Sequence, residues 1–218
     1  MPVLDLVASL ERFYGPLPAP PADPFRCFVW EALGTHTTPV RRDMAYAALR
    51  RIPALTPDAM FRAPRAKVAG AVALAGPYQE QRISALLAGV AQFRRRPDLP
   101  SVIQGRLRDA RRAIEALPRL ADASVGRLLL FAGNHAVMPV DHDIVRLCVR
   151  LGRDSETDRA TAAMARGVRQ AIQRALPPDV DLFRRTSLYL SHHAVQTCTD
   201  DPHCIVCPLS EHCPSAKT

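Results

Sequence analysis

Four cysteines fall within the last stretch of the chain: Cys198, Cys204, Cys207 and Cys213. Whatever fold the other residues adopt must deliver these thiols to one short C-terminal segment. Such a segment wraps readily around one compact soft centre, and iron–sulfur clusters and zinc both accept four thiolates. Zinc sites more often draw on two separate Cys-x-x-Cys pairs. Here a single pair, Cys204 and Cys207, is flanked by lone cysteines, and Pro208 and Pro214 follow two of the four. The pattern favours a [4Fe–4S] cluster, with zinc and a metal-free pair of disulfides as alternatives. Disulfides would need an oxidising compartment. The N-terminus shows no charged-then-apolar signal pattern, and no run of about 18 apolar residues occurs. The expected setting is the cytoplasm, with reduced thiols and no membrane partner.

Composition adds a polyanion to the expected partners. The 218 residues carry a formal net charge of +8, with a pI near 9.7. That suits nucleic acid ahead of an acidic membrane, with a basic, solvated surface as the plain alternative. Lys67 and Lys217 are the only lysines, so the remaining positive charge is arginine. Arginine stays protonated and grips phosphate with a planar fork, but it does not readily form an imine with a sugar aldehyde. A chain of this length buries one good core or two small lobes.

Helical periodicity dominates, and no β-period run is convincing, so the expected class is all-α. Val3, Leu6, Val7, Leu10 and Phe13 form one apolar stripe that Gly15 ends. A proline-rich linker spans 16–24. Asp23 caps the next helix with Pro24 at its first position, and Phe25, Phe28, Val29, Ala32 and Leu33 are its inner face. Residues 34–38 break it, and Pro39 opens a helix with Met44, Ala47, Ala48 and Leu49 inward. A turn around Pro57 and Phe61 leads to a helix over 65–75 that Gly76-Pro77 stops. Ile83, Leu86, Leu87, Val90 and Phe93 make a further stripe, ending at a solvated Arg94-Arg95-Arg96. Helices are expected over 105–117, 123–132, 140–151, 156–175 and 179–195. Cys27, Cys148 and Tyr78 read as core residues, and His192 and His193 as packing or surface rather than metal ligands.

Two short motifs sit in the middle. Leu117-Pro118-Arg119-Leu120-Ala121 lies between two helices, and Val140-Asp141-His142-Asp143 follows, with Asp141 seventeen residues beyond Ser124. Alone, Asp141 reads first as a helix cap. The order of a helical hairpin, then an acid after Val, then four clustered cysteines resembles the endonuclease III family of DNA glycosylases. Asp23-Pro24-Phe25 with Leu33-Gly34-Thr35-His36-Thr37-Thr38 resembles the family's opening helix and lesion-side loop. Gly76-Pro77-Tyr78 resembles its Gly-x-Tyr stretch. The resemblance implies a two-lobed helix-hairpin-helix glycosylase fold with a C-terminal iron–sulfur loop. Residues 24–134 would form the bundle with the hairpin, and 1–23 plus 135–218 the cluster domain. It implies Cys198, Cys204, Cys207 and Cys213 as cluster ligands, and Asp141 as the acid that assists cleavage of the N-glycosidic bond. It implies DNA contacts at Arg119, Leu120, Ala121 and His36, and double-stranded DNA with a damaged base as the partner of a monomer near the nucleoid. Oxidised pyrimidines are its default substrate.

This sequence also departs from that family. The lysine of its bifunctional members, which attacks C1′ to form a Schiff base, is Ala123 here, so efficient lyase activity is not expected. The glycines of its Leu-Pro-Gly-Val-Gly hairpin are Arg119 and Ala121, so the turn is either reshaped or strained. Its loop glutamine is His36. Five residues rather than six separate Cys198 from Cys204, and Asp200 and Asp201 stand where basic residues are usual. Asp143 adds another acid beside Asp141. The leading expectation is a base excision glycosylase, monofunctional or weak. A catalytically weak or inactive DNA-binding paralogue that keeps the cluster is the alternative, and a redox or cluster-carrying protein without DNA binding the third.

Overall fold

A computed structural model describes residues 1–51, 55–152 and 162–216. Among them there is no strand, and no helix is long and apolar enough to cross a membrane. They divide into two compact units, residues 20–135 and residues 1–19 with 136–218.

The first unit opens on α2 (Pro24–Gly34), after α1 (Val3–Tyr14) of the other unit. It continues through α3 (Pro39–Leu49), α4 (Pro57–Arg62), α5 (Arg65–Ala73) and α6 (Gln79–Arg95). Then come α7 (Leu99–Ile103), α8 (Leu107–Glu115) and α9 (Asp122–Arg127). Three of these starts repeat one device: a side-chain acceptor followed by proline. Asp23 accepts from the Arg26 amide at 2.8 Å, Thr38 from Arg41 at 3.4 Å and Thr56 from Ala59 at 3.2 Å. Pro24, Pro39 and Pro57 fill first positions where no N–H is needed. The long α6 packs against α2, α4 and α5. Its Gly89 permits the close approach to α2, because a Cβ there would lie 2.0 Å from Cζ of the buried Phe28. Phe93 closes the contact, with ring centroids 5.2 Å from Phe25 and 5.7 Å from Phe28.

Past α9 the helix loosens into a π segment, Leu128–Ala132, with every side chain buried. The tie between α9 and α2 is ionic. Arg127 Nε lies 2.7 Å from Glu31 Oε1, and the Glu31 side chain is 3% exposed. A carboxylate so deeply placed needs its counter-charge.

In the second unit α1 lies along α12 (Val180–Gln196), which also packs on α10 (His142–Arg150); α11 (Ala162–Ala175) packs on α10. Val3, Leu6, Val7 and Leu10 of α1 are buried as the stripe requires. Gly15 ends the helix at φ 67°. Arg185 donates to both Glu11 carboxylate oxygens at 2.7 Å, and Tyr189 Oη donates to Gly15 O at 2.8 Å. The expected helix start near Glu156 lies outside the described residues.

Some expectations need correction. Phe13 is half exposed, because the stripe outlasts its cover. In α3 the inner face is Ala45 and Leu49, while Met44 is 52% exposed. An alanine-rich helix offers two competing stripes, and packing on α2 and α5 selects the other one. Tyr78 is 55% exposed rather than core. The Arg94-Arg95-Arg96 end is exposed as expected, although Arg94 pairs with Asp58 at 2.9 Å and lies 3.7 Å over the Phe61 ring.

Replacing Arg127 by Leu strands the Glu31 charge and should lower unfolding free energy by about 3 kcal/mol. The double substitution with Glu31→Leu should recover much of that loss in urea denaturation; a single variant as stable as the parent would remove the pair from the fold's support.

Candidate functional site

The hairpin keeps its turn at a cost. Between α8 and α9 the chain passes through Arg119 at φ 56°, in the left-handed region that favours glycine. Ala121 instead is extended, at φ −71° and ψ 159°, where any residue is comfortable. Of the two positions, only Arg119 is strained, by roughly 1 kcal/mol. Leu120 completes the turn. Ala123 is buried in the first turn of α9.

His36 and Tyr78 come together from two loops of the same unit. Both are exposed, both have left-handed backbones (φ 50° and 65°), and their rings lie 5.3 Å apart. One side chain fixes both loops. The guanidinium of Arg82, 3% exposed as a residue, donates to Thr35 O at 2.6 Å, His36 O at 3.1 Å and Gly76 O at 3.1 Å, and also to Pro77 O. Burial pulls its pKa below the ordinary value, yet guanidinium remains charged. Thr37 Oγ1 adds a bond to Ala75 O at 2.6 Å. Gly76 is needed in this knot: its φ is 88°, and a Cβ would lie 2.8 Å from Arg41 Nη1.

Asp141 caps α10, accepting from the Ile144 amide at 3.1 Å, and is half-buried. Its neighbour Asp143 is paired with Arg146 at 2.6 Å, so its charge is balanced locally. The same helix grips the cysteine loop. Arg146 donates to Ala194 O at 2.8 Å and Cys198 O at 3.1 Å, and reaches the Asp200 carboxylate at 3.2 Å. Arg150 donates to Asp200 O at 3.1 Å and also to Thr199 O. Asp141 and the loop thus hang on opposite ends of one rigid element, whose nine residues span roughly 13 Å.

Cys198, Cys204, Cys207 and Cys213 line one cavity of about 60 Å³, together with Leu147 and Leu209. None is in a disulfide. Donors already point at the sulfurs: Arg150 Nη1 lies 3.5 Å from Cys198 Sγ, and the Leu209 amide 3.4 Å from Cys207 Sγ. Among the described residues no group of three or more His, Cys, Asp or Glu could hold a metal ion. The thiols face a shared space instead of closing on a point. His193, from the end of α12, reaches the same cavity. Burial, then the neighbouring His192, pushes its pKa down to about 4.

Solved structures match over nearly the whole chain. A non-covalent endonuclease III–DNA complex has a TM-score of 0.76 at 16% identity, covering 99% of this chain and 95% of its own. A thermostable thymine-DNA glycosylase reaches 0.75 at 17% identity, covering 99% and 96%. The H. pylori 3-methyladenine DNA glycosylase bound to 1,N6-ethenoadenine reaches 0.70 at 14%, covering 90% and 98%. The chain has the endonuclease III fold. No family model matches it, and no curated protein matches it in sequence.

Within the endonuclease III fold, the candidate residues fall in both units. His36, Arg119, Leu120, Ala121 and Ala123 belong to residues 20–135; Asp141 and the four cysteines belong to the other unit. Sequence reasoning missed Arg82, Arg146 and Arg150, whose inward role depends on loop carbonyls that periodicity does not reveal. It also missed the pairing of Tyr78 with His36. Gly76-Pro77 beside Tyr78 was the available signal, since a helix restarting straight after a turn often begins from an unusual backbone.

If the hairpin turn is held against its preference, Arg119→Gly should raise unfolding free energy by about 1 kcal/mol, while Ala121→Gly should bring no gain. Equal urea midpoints for the parent and Arg119→Gly would argue against left-handed strain at Arg119.

Proposed function

We propose that this chain is a base excision DNA glycosylase that hydrolyses the N-glycosidic bond of damaged bases in double-stranded DNA, with oxidised pyrimidines as the expected class, and that it acts as a monomer. The observation that carries this reading is where the strain lies. Among the described residues four non-glycine residues have positive φ, and three of them, His36, Tyr78 and Arg119, stand in stretches that resemble glycosylase motifs. Strained backbone persists where surrounding structure enforces it, and it gathers at functional sites. The glycosylase fold of the neighbours supports the same reading.

The chemistry asks little of the protein beyond position and charge. A damaged base leaves the stack for a pocket, and the gap it vacates needs filling. The exposed His36 and Tyr78 rings are suited to that, since aromatic faces stack on bases of any sequence. Breaking the bond to C1′ leaves a cationic sugar. Asp141 supplies the negative charge to stabilise it and to orient or deprotonate water, and capping α10 holds its carboxylate in place. With Ala123 at the lysine position no Schiff base forms there, so the abasic strand is left uncut.

The residues around the cavity fit a [4Fe–4S] cluster held by Cys198, Cys204, Cys207 and Cys213. A cubane spreads its thiolates over separate corners, further apart than the ligands of one zinc ion, and N–H groups face two of the sulfurs. The cluster would supply a rigid cross-link. Through Arg146 and Arg150 that cross-link steadies α10 and therefore Asp141.

A second reading is a catalytically weak or inactive DNA-binding paralogue. The loop between Cys198 and Cys204 favours it: Asp200 and Asp201 put acids where the resemblance implies basic residues, and Arg146 and Arg150 are spent on holding that loop.

Base release from a panel of lesion duplexes separates the readings. The parent should release oxidised pyrimidines, and Asp141→Asn should lose about 100-fold or more in rate. Release that survives the substitution removes Asp141 from the mechanism; salt-sensitive binding without release favours the paralogue. Borohydride trapping on abasic DNA should yield no covalent adduct, and a strong adduct would overturn the assignment of Ala123 as a lost lysine.

A further inference from the structure

His193 is 1% exposed, and both of its ring nitrogens have partners. Nδ1 lies 2.8 Å from Tyr14 Oη, and Nε2 lies 3.6 Å from Cys207 Sγ. Tyr14 Oη in turn lies 2.6 Å from Oγ1 of the buried Thr197. The contacts form a line: Thr197 hydroxyl, Tyr14 hydroxyl, His193 imidazole, Cys207 sulfur. Tyr14 is the last residue of α1, so the far end of the chain supplies the middle of the line. Its place is firmly set, because Glu11 and Gly15 on either side are tied to Arg185 and Tyr189.

The polarity of such a line depends on what Cys207 is. A free thiol has a proton to give, so Nε2 can accept from it while Nδ1–H donates to Tyr14. A metal-bound thiolate has none, and a bare Nε2 lone pair against it would be repelled. A ring that carries one proton then satisfies both neighbours in one arrangement only. Nε2 carries the proton and donates to sulfur, Nδ1 accepts from the Tyr14 O–H, and the Thr197 hydroxyl donates to Tyr14 Oη. Cys207 then has two N–H donors, His193 and the Leu209 amide at 3.4 Å.

We infer that Thr197, Tyr14 and His193 form a relay that locks His193 as a hydrogen-bond donor to the Cys207 ligand and thereby sets the reduction potential of the cluster. This rests on the cluster reading above. Donors to a ligand sulfur stabilise the form richer by one electron, so they raise the potential. His193 and Tyr14 are positioning residues here: they touch a ligand, or each other, and not DNA.

The test is film voltammetry of the full chain on an electrode, which supplies or takes the single electron, with iron content measured alongside. The parent should carry about four iron atoms per chain. At equal iron, His193→Leu should shift to lower potential, His193→Gln, which keeps an N–H donor, should stay near the parent, and Tyr14→Phe should shift in the same direction as His193→Leu. A His193→Leu potential equal to that of the parent overturns the proposal, and so does an unshifted Tyr14→Phe. If His193→Leu fails to load iron, Tyr14→Phe decides the matter alone, since it removes one hydroxyl and leaves the ring. A parent that binds no iron overturns the cluster reading itself, and the relay with it, which is a different result from a loaded protein whose potential ignores both residues.

Discussion

A buried guanidinium facing backbone carbonyls is the interaction on which the irregular parts of this molecule depend. Helices satisfy their own backbone; loops do not, and a carbonyl hidden from water needs a donor. Arg82 serves Thr35, His36, Gly76 and Pro77 at once. Arg146 and Arg150 do the same for the chain around Cys198. A planar group with five N–H donors can tie two loops together, whereas an ammonium on a flexible stem offers three donors without a fixed direction. The near absence of lysine thus has a structural meaning beside any chemical one.

That use of arginine changes what the net charge means. Arg82, Arg127, Arg146 and Arg150 point inward to carbonyls or carboxylates. Charge held in such pairs still contributes to the long-range field, but those forks are already engaged and are not available to grip phosphate. Local shape then matters more than total charge. The left-handed residues His36, Tyr78 and Arg119 are the visible form of that shape, and the staple at Arg82 is what lets two of them persist.

How much of this was legible in the sequence follows from which signals are local. The stripe of α1, the Asp23-Pro24 start and the long α6 were readable because spacing and capping act over one or two turns. The cysteine loop was readable because its four thiols are close in the chain. Tyr78 reads as core because an aromatic side chain defaults there, and nothing in its identity announces a left-handed backbone. Arg82 is silent in the sequence for a related reason: arginine reads as surface until the carbonyls around it are known. At Arg119 the sequence leaves two outcomes open, reshaping or strain, and only backbone angles distinguish them. Asp143 looked like a liability beside Asp141, yet Arg146, one helical turn away, balances it.

The division of the chain carries a consequence for its biosynthesis. Residues 20–135 form a unit whose parts are contiguous, so it can close as soon as it leaves the ribosome. Helix α1 emerges before that unit, but its apolar face of Val3, Leu6, Val7 and Leu10 is covered by α12, made from residues 180–196. Through most of translation that face has no native cover, and a nascent chain with an uncovered apolar helix is a natural client for chaperones. Cys198, Cys204, Cys207 and Cys213 follow α10 and α12 in the chain, so the helices that frame their cavity are made before them.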